Sequence, residues 1–378
     1  MDKKHALYIY MCFPVFILFC SCMNLSGNND NANIFIFDFT GKTSTLPVPT
    51  AEKLPSSWKG FNLINMFYLG GQDTDKPFDE KEFIMISGWG FNFVRIPIDY
   101  RILIKADNWN NMNETAMRRL DKAVEYGIKH NVHVCINLHR APGYTVASPA
   151  ETTNLWTQSK PQEAFARMWG FIAERYKNVP NEYLSFNFLN EPAGVDEKIY
   201  ADVIKKAADA IRASDPDRIL IADGLDYGVI PSYLIKELGI AQATRGYTPH
   251  SVTHYKAEWM EGSDKLPLPT WPVIENAGIQ NREWLKAAYI KPWDELVKSG
   301  GGAMVGEWGA YNRTPHDVVL LWMEDNLINF KEAGMGWALW NFTGAFGVLN
   351  SGRDDVNYEN FNGYKLDRKM LDLLRKYL

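Results

Sequence analysis

Two glutamates in this sequence, Glu191 and Glu307, each follow a short apolar segment of the chain. Paired carboxyl groups can cleave a glycosidic bond: one protonates the leaving oxygen, and the other attacks the anomeric carbon or activates a water molecule. A separation of about 5 to 5.5 Å permits direct attack, whereas a gap of about 6.5 to 9.5 Å admits the water. The two groups must also differ in pKa to take different roles. The pair is therefore the candidate reacting centre, with both outcomes open at this point.

Other polar and aromatic residues also end apolar segments. They are Arg95, His139, Asn190, Arg245, Tyr247 and Trp340. Hydrogen bonds from Arg95 and Tyr247 would keep Glu307 ionised as the nucleophile. Burial and the nearby charge of Glu307 would keep Glu191 protonated, so that it can act as the acid and later as the base.

The remaining candidates suit sugar recognition. The amide of Asn190 could donate to the hydroxyl beside the reacting carbon, and the ring of Trp340 could support a sugar ring. The sequence contains 13 Trp and 18 Tyr, and exposed indole and phenol faces stack on flat apolar surfaces. The site assembled in this way calls for no metal ion and no cofactor.

Short apolar segments alternate along the chain with amphipathic ones. The apolar segments, each a candidate β-strand, are residues 61–67, 91–98, 132–138, 183–189, 219–222, 242–247, 303–306 and 336–340. The amphipathic segments have apolar residues at helical spacing. They are residues 79–87, 113–130, 161–177, 196–214, 231–238, 282–298, 316–333 and 366–377. Eight strands each followed by a helix predict an α/β fold, a (β/α)8 TIM barrel in a single domain.

The predicted barrel would bring the polar residues together, because active sites of this fold form at the carboxyl ends of the strands. Residues 34–39 are a candidate for a further strand outside the barrel. Long loops are expected at 259–282 and 346–359, and they favour a pocket or short cleft over an open groove.

The start of the sequence predicts export from a bacterial cell. Two lysines precede an apolar stretch at 6–19, which is shorter than the roughly 20 residues that span a bilayer. Ser21 then precedes Cys22, as at a lipoprotein cleavage site; plain secretion is the alternative. A lipid on Cys22 would hold the protein at the membrane, in the periplasm or at the outer-membrane or cell surface.

These features divide the chain into three parts. We expect a lipoprotein signal peptide at 1–21, a tether and N-terminal extension at 22–50, and the barrel domain at 51–378. After Cys22 only Cys135 remains, and we expect it to be a buried thiol. The chain has 40 Lys and Arg against 45 Asp and Glu, a net charge of −5. Because phosphate binding needs clustered cations, we expect a carbohydrate partner and no nucleic acid.

Five short motifs resemble glycoside hydrolase family 5, a family of retaining (β/α)8 enzymes. They are FVRIP at 93–97, NLH at 137–139, LNEP at 189–192, GEWG at 306–309 and WALWN at 337–341. The resemblance implies that Glu191 is the acid/base and Glu307 the nucleophile, after strands four and seven. It also implies substrate-binding or supporting roles near the reacting groups, for Arg95, His139, Asn190, Tyr247 and Trp340.

One position departs from the family pattern. Many members have a His-x-Tyr pair after strand six, where this sequence has Arg245 and Tyr247. An alternative alignment uses His254 and Tyr255 downstream; the first is favoured, with His254 as a further supporting residue. Arginine is always charged and planar, so Arg245 would bind a substrate hydroxyl or an acidic neighbour.

The sequence thus predicts a retaining hydrolase of β-linked poly- or oligosaccharides that forms a covalent glycosyl-enzyme intermediate. Glucans, hemicelluloses and furanosides all remain open as substrates. The alternative from another class is a surface lipoprotein that binds sugar on the same scaffold without catalysis. Loss of either glutamate would have favoured that alternative, and both are present.

Overall fold

The computed structural model describes residues 34–275 and 278–378. Within these residues eight parallel strands close into a barrel, which confirms the predicted (β/α)8 fold. The barrel strands are β1 (Lys59–Asn62), β2 (Phe93–Asp99), β3 (His133–Arg140), β4 (Leu184–Asn187), β5 (Leu220–Asp223), β6 (Ala241–Gly246), β7 (Ala303–Trp308) and β8 (Gly336–Leu339). Each strand pairs with the next along the chain, and β8 pairs with β1. The predicted signal peptide and Cys22 lie outside the described residues.

A helix follows each barrel strand. These helices are α1 (Glu80–Gly88), α2 (Glu114–His130), α3 (Ser159–Tyr176), α4 (Glu197–Arg212), α5 (Tyr233–Glu237), α6 (Lys291–Lys298), α7 (His316–Glu332) and α8 (Arg368–Lys376). Side-chain oxygens of the preceding residue cap the first turn of α1, α2, α4, α5 and α8. Among the described helices, none combines the length and the hydropathy needed to cross a membrane.

Shorter elements fill the connections. The short helical turns are Tyr100–Ile102, Leu225–Gly228, His250–Thr253, Ser263–Lys265, Arg282–Leu285 and Lys286–Ile290. Three antiparallel strand pairs lie outside the barrel: Ile104–Lys105 with Asn108–Met112, Val273–Glu275 with Gly278–Gln280, and Glu359–Phe361 with Tyr364–Leu366. The loop expected at 259–282 is therefore partly ordered into a turn and a strand pair.

Alternate residues of the barrel strands point into the barrel, and their character changes along each strand. Near the amino ends Phe93, Cys135, Ile221, Ala241, Ala243, Met304 and Ala338 form an apolar cluster with Leu54, Trp58 and Ile219, which precede the strands. Two residues further along, the same faces carry Arg95, Asn137, Asp223 and Arg245, all buried. The floor of the barrel is thus apolar and its upper layer is polar. A second, larger core lies between the barrel and the helices.

Residues 34–39 form no strand, contrary to the prediction. Instead Phe35, Phe37 and Phe39 form a row of rings, with centroids 6.4 and 5.2 Å apart, that packs on the segment between α3 and β4. Phe35 lies 5.6 Å from the ring of Tyr176, and Phe39 lies 6.3 Å from that of Tyr183. Aromatic packing, without a strand partner, therefore fixes this segment to the barrel.

Candidate active site

Glu307 reaches the barrel interior because β7 carries a bulge. The register of β7 against β6 pairs Val305 with Thr244 and then Glu307 with Arg245, so one extra residue of β7 lies between the two pairs. That residue is Gly306, and a Cβ there would lie 2.9 Å from Nη1 of Arg245. The bulge leaves Glu307 in the upper polar layer with 3% of its side chain exposed.

Donors from three different strands surround the carboxylate of Glu307. Arg95 Nη1 lies 2.5 Å from Oε1, and the Tyr247 hydroxyl donates to Oε2 over 3.1 Å. Arg245 Nη2 lies 3.4 Å from Oε1, and His139 Nδ1 lies 3.8 Å from it. Burial and the surrounding arginines hold the pKa of His139 well below its usual range, so its ring is neutral. Two buried guanidinium groups therefore lie against the carboxylate of Glu307.

Arg95 is held in place by three asparagines. Its Nε donates to Asn187 Oδ1 over 2.8 Å, Nη1 to Asn62 Oδ1 over 3.0 Å, and Nη2 to Asn190 Oδ1 over 3.0 Å. Only 1% of the Arg95 side chain is exposed. The guanidinium plane therefore has one orientation, which points Nη1 at Glu307.

Glu191 follows β4 with a left-handed backbone, φ 49°. Its N–H donates to Asp223 Oδ2 over 2.8 Å, and its C=O accepts from the Tyr144 hydroxyl over 2.7 Å. Its carboxylate accepts from Arg245 Nε over 3.0 Å. Burial, and then the negative charge of Glu307, raise the pKa of Glu191 to about 7 although Arg245 opposes the shift. The two glutamates thus differ in environment as an acid and a nucleophile require.

Arg245 contacts both glutamates and a third carboxylate. Besides Nε on Glu191 and Nη2 near Glu307, its Nη2 pairs closely with Asp223 Oδ2 and donates to Asn190 Oδ1 over 2.8 Å. Arg245 thus has three acidic neighbours, Glu191, Asp223 and Glu307, where the sequence predicted one. Both glutamates therefore contact the same guanidinium group, Glu191 at Nε and Glu307 at Nη2.

Asp223, Asn62 and Asn187 belong to this network, and sequence reasoning missed them. All three are buried, and each comes from the upper inward-facing layer of a barrel strand. The predicted fifth strand ended at 222, one residue too early to include Asp223. The period-2 spacing of Ile219, Ile221 and Asp223 was the signal that could have placed it.

Three rings pack together beside Glu307. Trp340 and His139 stack with centroids 5.5 Å apart, and Phe67 packs edge-on against both, at 5.2 and 4.7 Å. His254 packs edge-on against Tyr247, at 5.4 Å, and burial lowers its pKa to about 4. His254 therefore supports the ring of Tyr247.

A row of aromatic rings extends from the site toward solvent. Beyond Tyr247 the rings of Phe346 and Tyr311 lead to Trp259, which is 60% exposed. A separate cavity of about 830 Å³ is lined in part by Arg140 and Trp109. Arg140 directly follows His139 in β3, but adjacent strand residues point to opposite faces, and neither glutamate lines this cavity.

Comparison with known proteins identifies the family to which this sequence is similar. The family model described as Cellulase (glycosyl hydrolase family 5) matches residues 50–346. Endoglucanase C of Acetivibrio thermocellus is 27% identical over 310 residues, which cover 75% of this chain and 89% of that protein.

Two solved structures are similar in fold. A crystal structure described as a glycoside hydrolase is 37% identical, with a TM-score of 0.80 over 84% of this chain and 98% of that one. Endoglucanase Cel5A of Thermotoga maritima is 23% identical, with a TM-score of 0.69 over 84% of this chain and 97% of that one. The second likeness bears on the fold alone.

Proposed function

The chain belongs to glycoside hydrolase family 5 and is a glycoside hydrolase; on that premise we propose that it cleaves β-glucans with retention of anomeric configuration. The observation that carries the proposal is the shared contact of Arg245, whose Nε lies 3.0 Å from Glu191 and whose Nη2 lies 3.4 Å from Glu307. Carboxyl groups of retaining enzymes lie close together, because the nucleophile itself must reach the anomeric carbon.

In the first step Glu307 attacks the anomeric carbon. The bond from that carbon to the leaving oxygen breaks, and Glu191 transfers its proton to this oxygen. A glycosyl ester of Glu307 results, and Glu191 is left as a carboxylate. Arg95 and Tyr247 bind the carboxylate of Glu307 and align it for attack, while the raised pKa of Glu191 supplies the acid form at neutral pH.

In the second step the roles of Glu191 reverse. Its carboxylate removes a proton from a water molecule, and the water oxygen attacks the anomeric carbon as the ester bond to Glu307 breaks. Two inversions give net retention. Asn190 suits the sugar hydroxyl beside this carbon, because its Nδ2 is buried and has no acceptor among the described residues.

The endoglucanases among the relatives support a β-glucan substrate. The row of rings that leads from Tyr247 to Trp259 supports binding of several sugar units. Trp340 would lie under the sugar that reacts, since it stacks beside His139 at the carboxylates.

The decisive experiment follows the anomer released first from a soluble β-glucan oligosaccharide by NMR. We expect the β-anomer first. In parallel, a 2-deoxy-2-fluoro β-glucoside or cellobioside with a good leaving group should inactivate the enzyme and label Glu307, as mass spectrometry of the peptides would detect. An α-anomer released first, or a label elsewhere, would contradict the proposal.

Two variants complete this test. Glu307→Ala should release no sugar, whereas Glu82→Gln should remain active. Glu82 is a matched control: it is a buried glutamate on α1 whose pKa burial raises to about 7, but it lies outside the site. Equal release by Glu307→Ala and the unaltered enzyme would contradict the role of Glu307, and no release by either would favour the sugar-binding alternative.

We also propose that the enzyme acts outside the cytoplasm, with a lipid on Cys22 as its anchor. The support is the basic, apolar and Ser-Cys order of the first 22 residues. Radioactive palmitate fed to a producing bacterium should label the chain, and Cys22→Ser should remove the label and release the protein from membranes. Labelling that persists in the variant would contradict the anchor.

A further inference from the structure

We propose that Asp223 is a positioning residue for Glu191 and that, with Arg245, it controls when Glu191 carries its proton. The inference rests on the acid/base role proposed above for Glu191. Asp223 lies at the carboxyl end of β5, and its side chain is completely buried.

Asp223 binds both the backbone of Glu191 and the arginine that contacts its carboxylate. Its Oδ2 accepts the N–H of Glu191 over 2.8 Å and pairs with Arg245 Nη2, while its Oδ1 accepts from Asn187 Nδ2 over 3.1 Å. A non-glycine residue in the left-handed region needs its surroundings to hold it there. One carboxylate oxygen therefore fixes the backbone of Glu191 and also orients the guanidinium that bonds its side chain.

The charges of this pair act on Glu191 in opposite directions. The ionisable groups that face Glu191 are Glu307 from β7, Arg245 and Tyr247 from β6 and the loop after it, Asp223 from β5 and Tyr144 from the loop after β3. The negative charge of Asp223 raises the pKa of Glu191, and the positive charge of Arg245 lowers it. The two charges oppose one another, and burial and Glu307 are the larger causes of the raised pKa of Glu191.

The test compares two variants that remove one charge each. In Asp223→Asn, Arg245 loses the carboxylate that pairs with it most closely, so the basic limb of the kcat/KM profile should move to lower pH by about one unit. In Arg245→Gln, Glu191 loses its nearest cation and Asp223 keeps only the more distant Arg95, whose Nη2 lies 3.9 Å from Oδ2, so the limb should move to higher pH by about one unit. We also expect kcat/KM at the optimum to fall about 10- to 100-fold in Asp223→Asn, because the acid is less well aligned.

Asp215→Asn is the matched control. Asp215 pairs with Arg218 over 2.8 Å, also in a buried contact, but before β5 and at the opposite end of the barrel. Its loss should lower the midpoint of thermal unfolding without moving the pH profile. General damage to the fold would not shift the limb in opposite directions in the two site variants.

A second readout needs no substrate. Titration of the Glu191 carboxyl carbon by ¹³C NMR, assigned with Glu191→Gln, should show the same downward and upward shifts. If the unaltered enzyme cleaved no β-glycoside, the proposed function would fail, yet this titration would still decide the role of Asp223. Should Asp223→Asn not fold, as judged by circular dichroism, the upward shift in Arg245→Gln carries the test. Unchanged titrations, or shifts of the same sign, would overturn the inference.

Discussion

Arg95 Nη1 and Glu307 Oε1 lie 2.5 Å apart, and 1% and 3% of the two side chains are exposed. A carboxylate removed from water in this way stays ionised only when a cation and hydrogen-bond donors replace its hydration. The reactivity of Glu307 therefore depends on a residue that comes 212 positions earlier in the chain and contacts it only through the closure of the barrel.

Arg95→Lys should lower kcat on a soluble β-glucan by about 100- to 1000-fold, since the variant loses fixed donors at the reacting carboxylate. Lysine keeps the positive charge but cannot hold the planar set of contacts to Asn62, Asn187, Asn190 and Glu307 at once. Steady-state kinetics and urea unfolding of the same preparation separate the two effects. A kcat within a few-fold of the unaltered enzyme would show that charge alone is sufficient.

Glu191→Ala should be selective for the leaving group. Release of a sugar alcohol needs a proton, so cleavage of a β-glucan should fall by about 1000-fold or more. Release of an acidic phenol such as dinitrophenol needs none, so the first step on that aryl glycoside should fall far less. Azide should accelerate turnover of that aryl glycoside and yield a β-glycosyl azide. An equal loss on both substrates would contradict the acid role.

The pH profile of kcat/KM should have a basic limb near pH 7, where Glu191 titrates. The acid form of Glu191 is the active one in the first step, and its pKa is raised, so activity is retained below about pH 7. Above it, kcat/KM should fall tenfold per pH unit as the proton is lost. With the dinitrophenyl glycoside, which needs no acid, this limb should weaken. If the basic limb were unchanged with the dinitrophenyl glycoside, it would belong to a group other than Glu191.

Trp259→Ala should raise KM for longer β-glucan oligosaccharides while it leaves kcat on a short aryl glycoside almost unchanged. Trp259 is 60% exposed at the end of the ring row that starts at Tyr247, and loss of its ring removes contact surface only for sugars that reach there. Trp284→Ala, which alters a half-buried ring packed on Tyr289 away from this row, is the control. A rise in KM that is the same for short and long substrates would contradict a subsite at Trp259.

His133→Gln should weaken the dependence of stability on pH. Burial lowers the pKa of His133 to about 3, with Ser185 Oγ 2.8 Å from Nε2. Below pH 6.5 the unfolded chain takes up a proton that the folded protein refuses, so stability falls as the pH falls. Between pH 7 and pH 4 this group accounts for about 3 kcal/mol. Urea unfolding at both pH values measures it; an unchanged difference in the variant would contradict the assignment.

The eight strands could be predicted because each is a short apolar run bounded by an amphipathic helix, and the order alone implies the barrel. Glu191, Glu307 and Arg95 could be placed because each follows or ends such a run. The structure adds the distances that relate them. No pattern in the chain expresses that Arg245 would touch three carboxylates, since those contacts join β4, β5, β6 and β7.

The errors have physical causes. The row of Phe35, Phe37 and Phe39 alternates as a strand would, but the closed barrel has no free strand edge to pair with it. Its rings pack instead on Tyr176 at the end of α3 and on Tyr183 just before β4. Asp223 precedes Gly224, a combination typical of a turn, so the predicted strand ended one residue before it. In both cases the structure depends on contacts within the closed barrel, which the local spacing of residues does not encode.

The bulge at Gly306 has a consequence for how this enzyme can change over time. An insertion or a deletion of one residue in β7 would rotate Glu307 out of the interior and bring Trp308, now packed among Trp322, Phe330 and Trp337, to face the sugar. Loops around the mouth can lengthen or shorten as substrates vary. The stretch that carries Glu307 can vary only by substitution, and its length is as constrained as its chemistry.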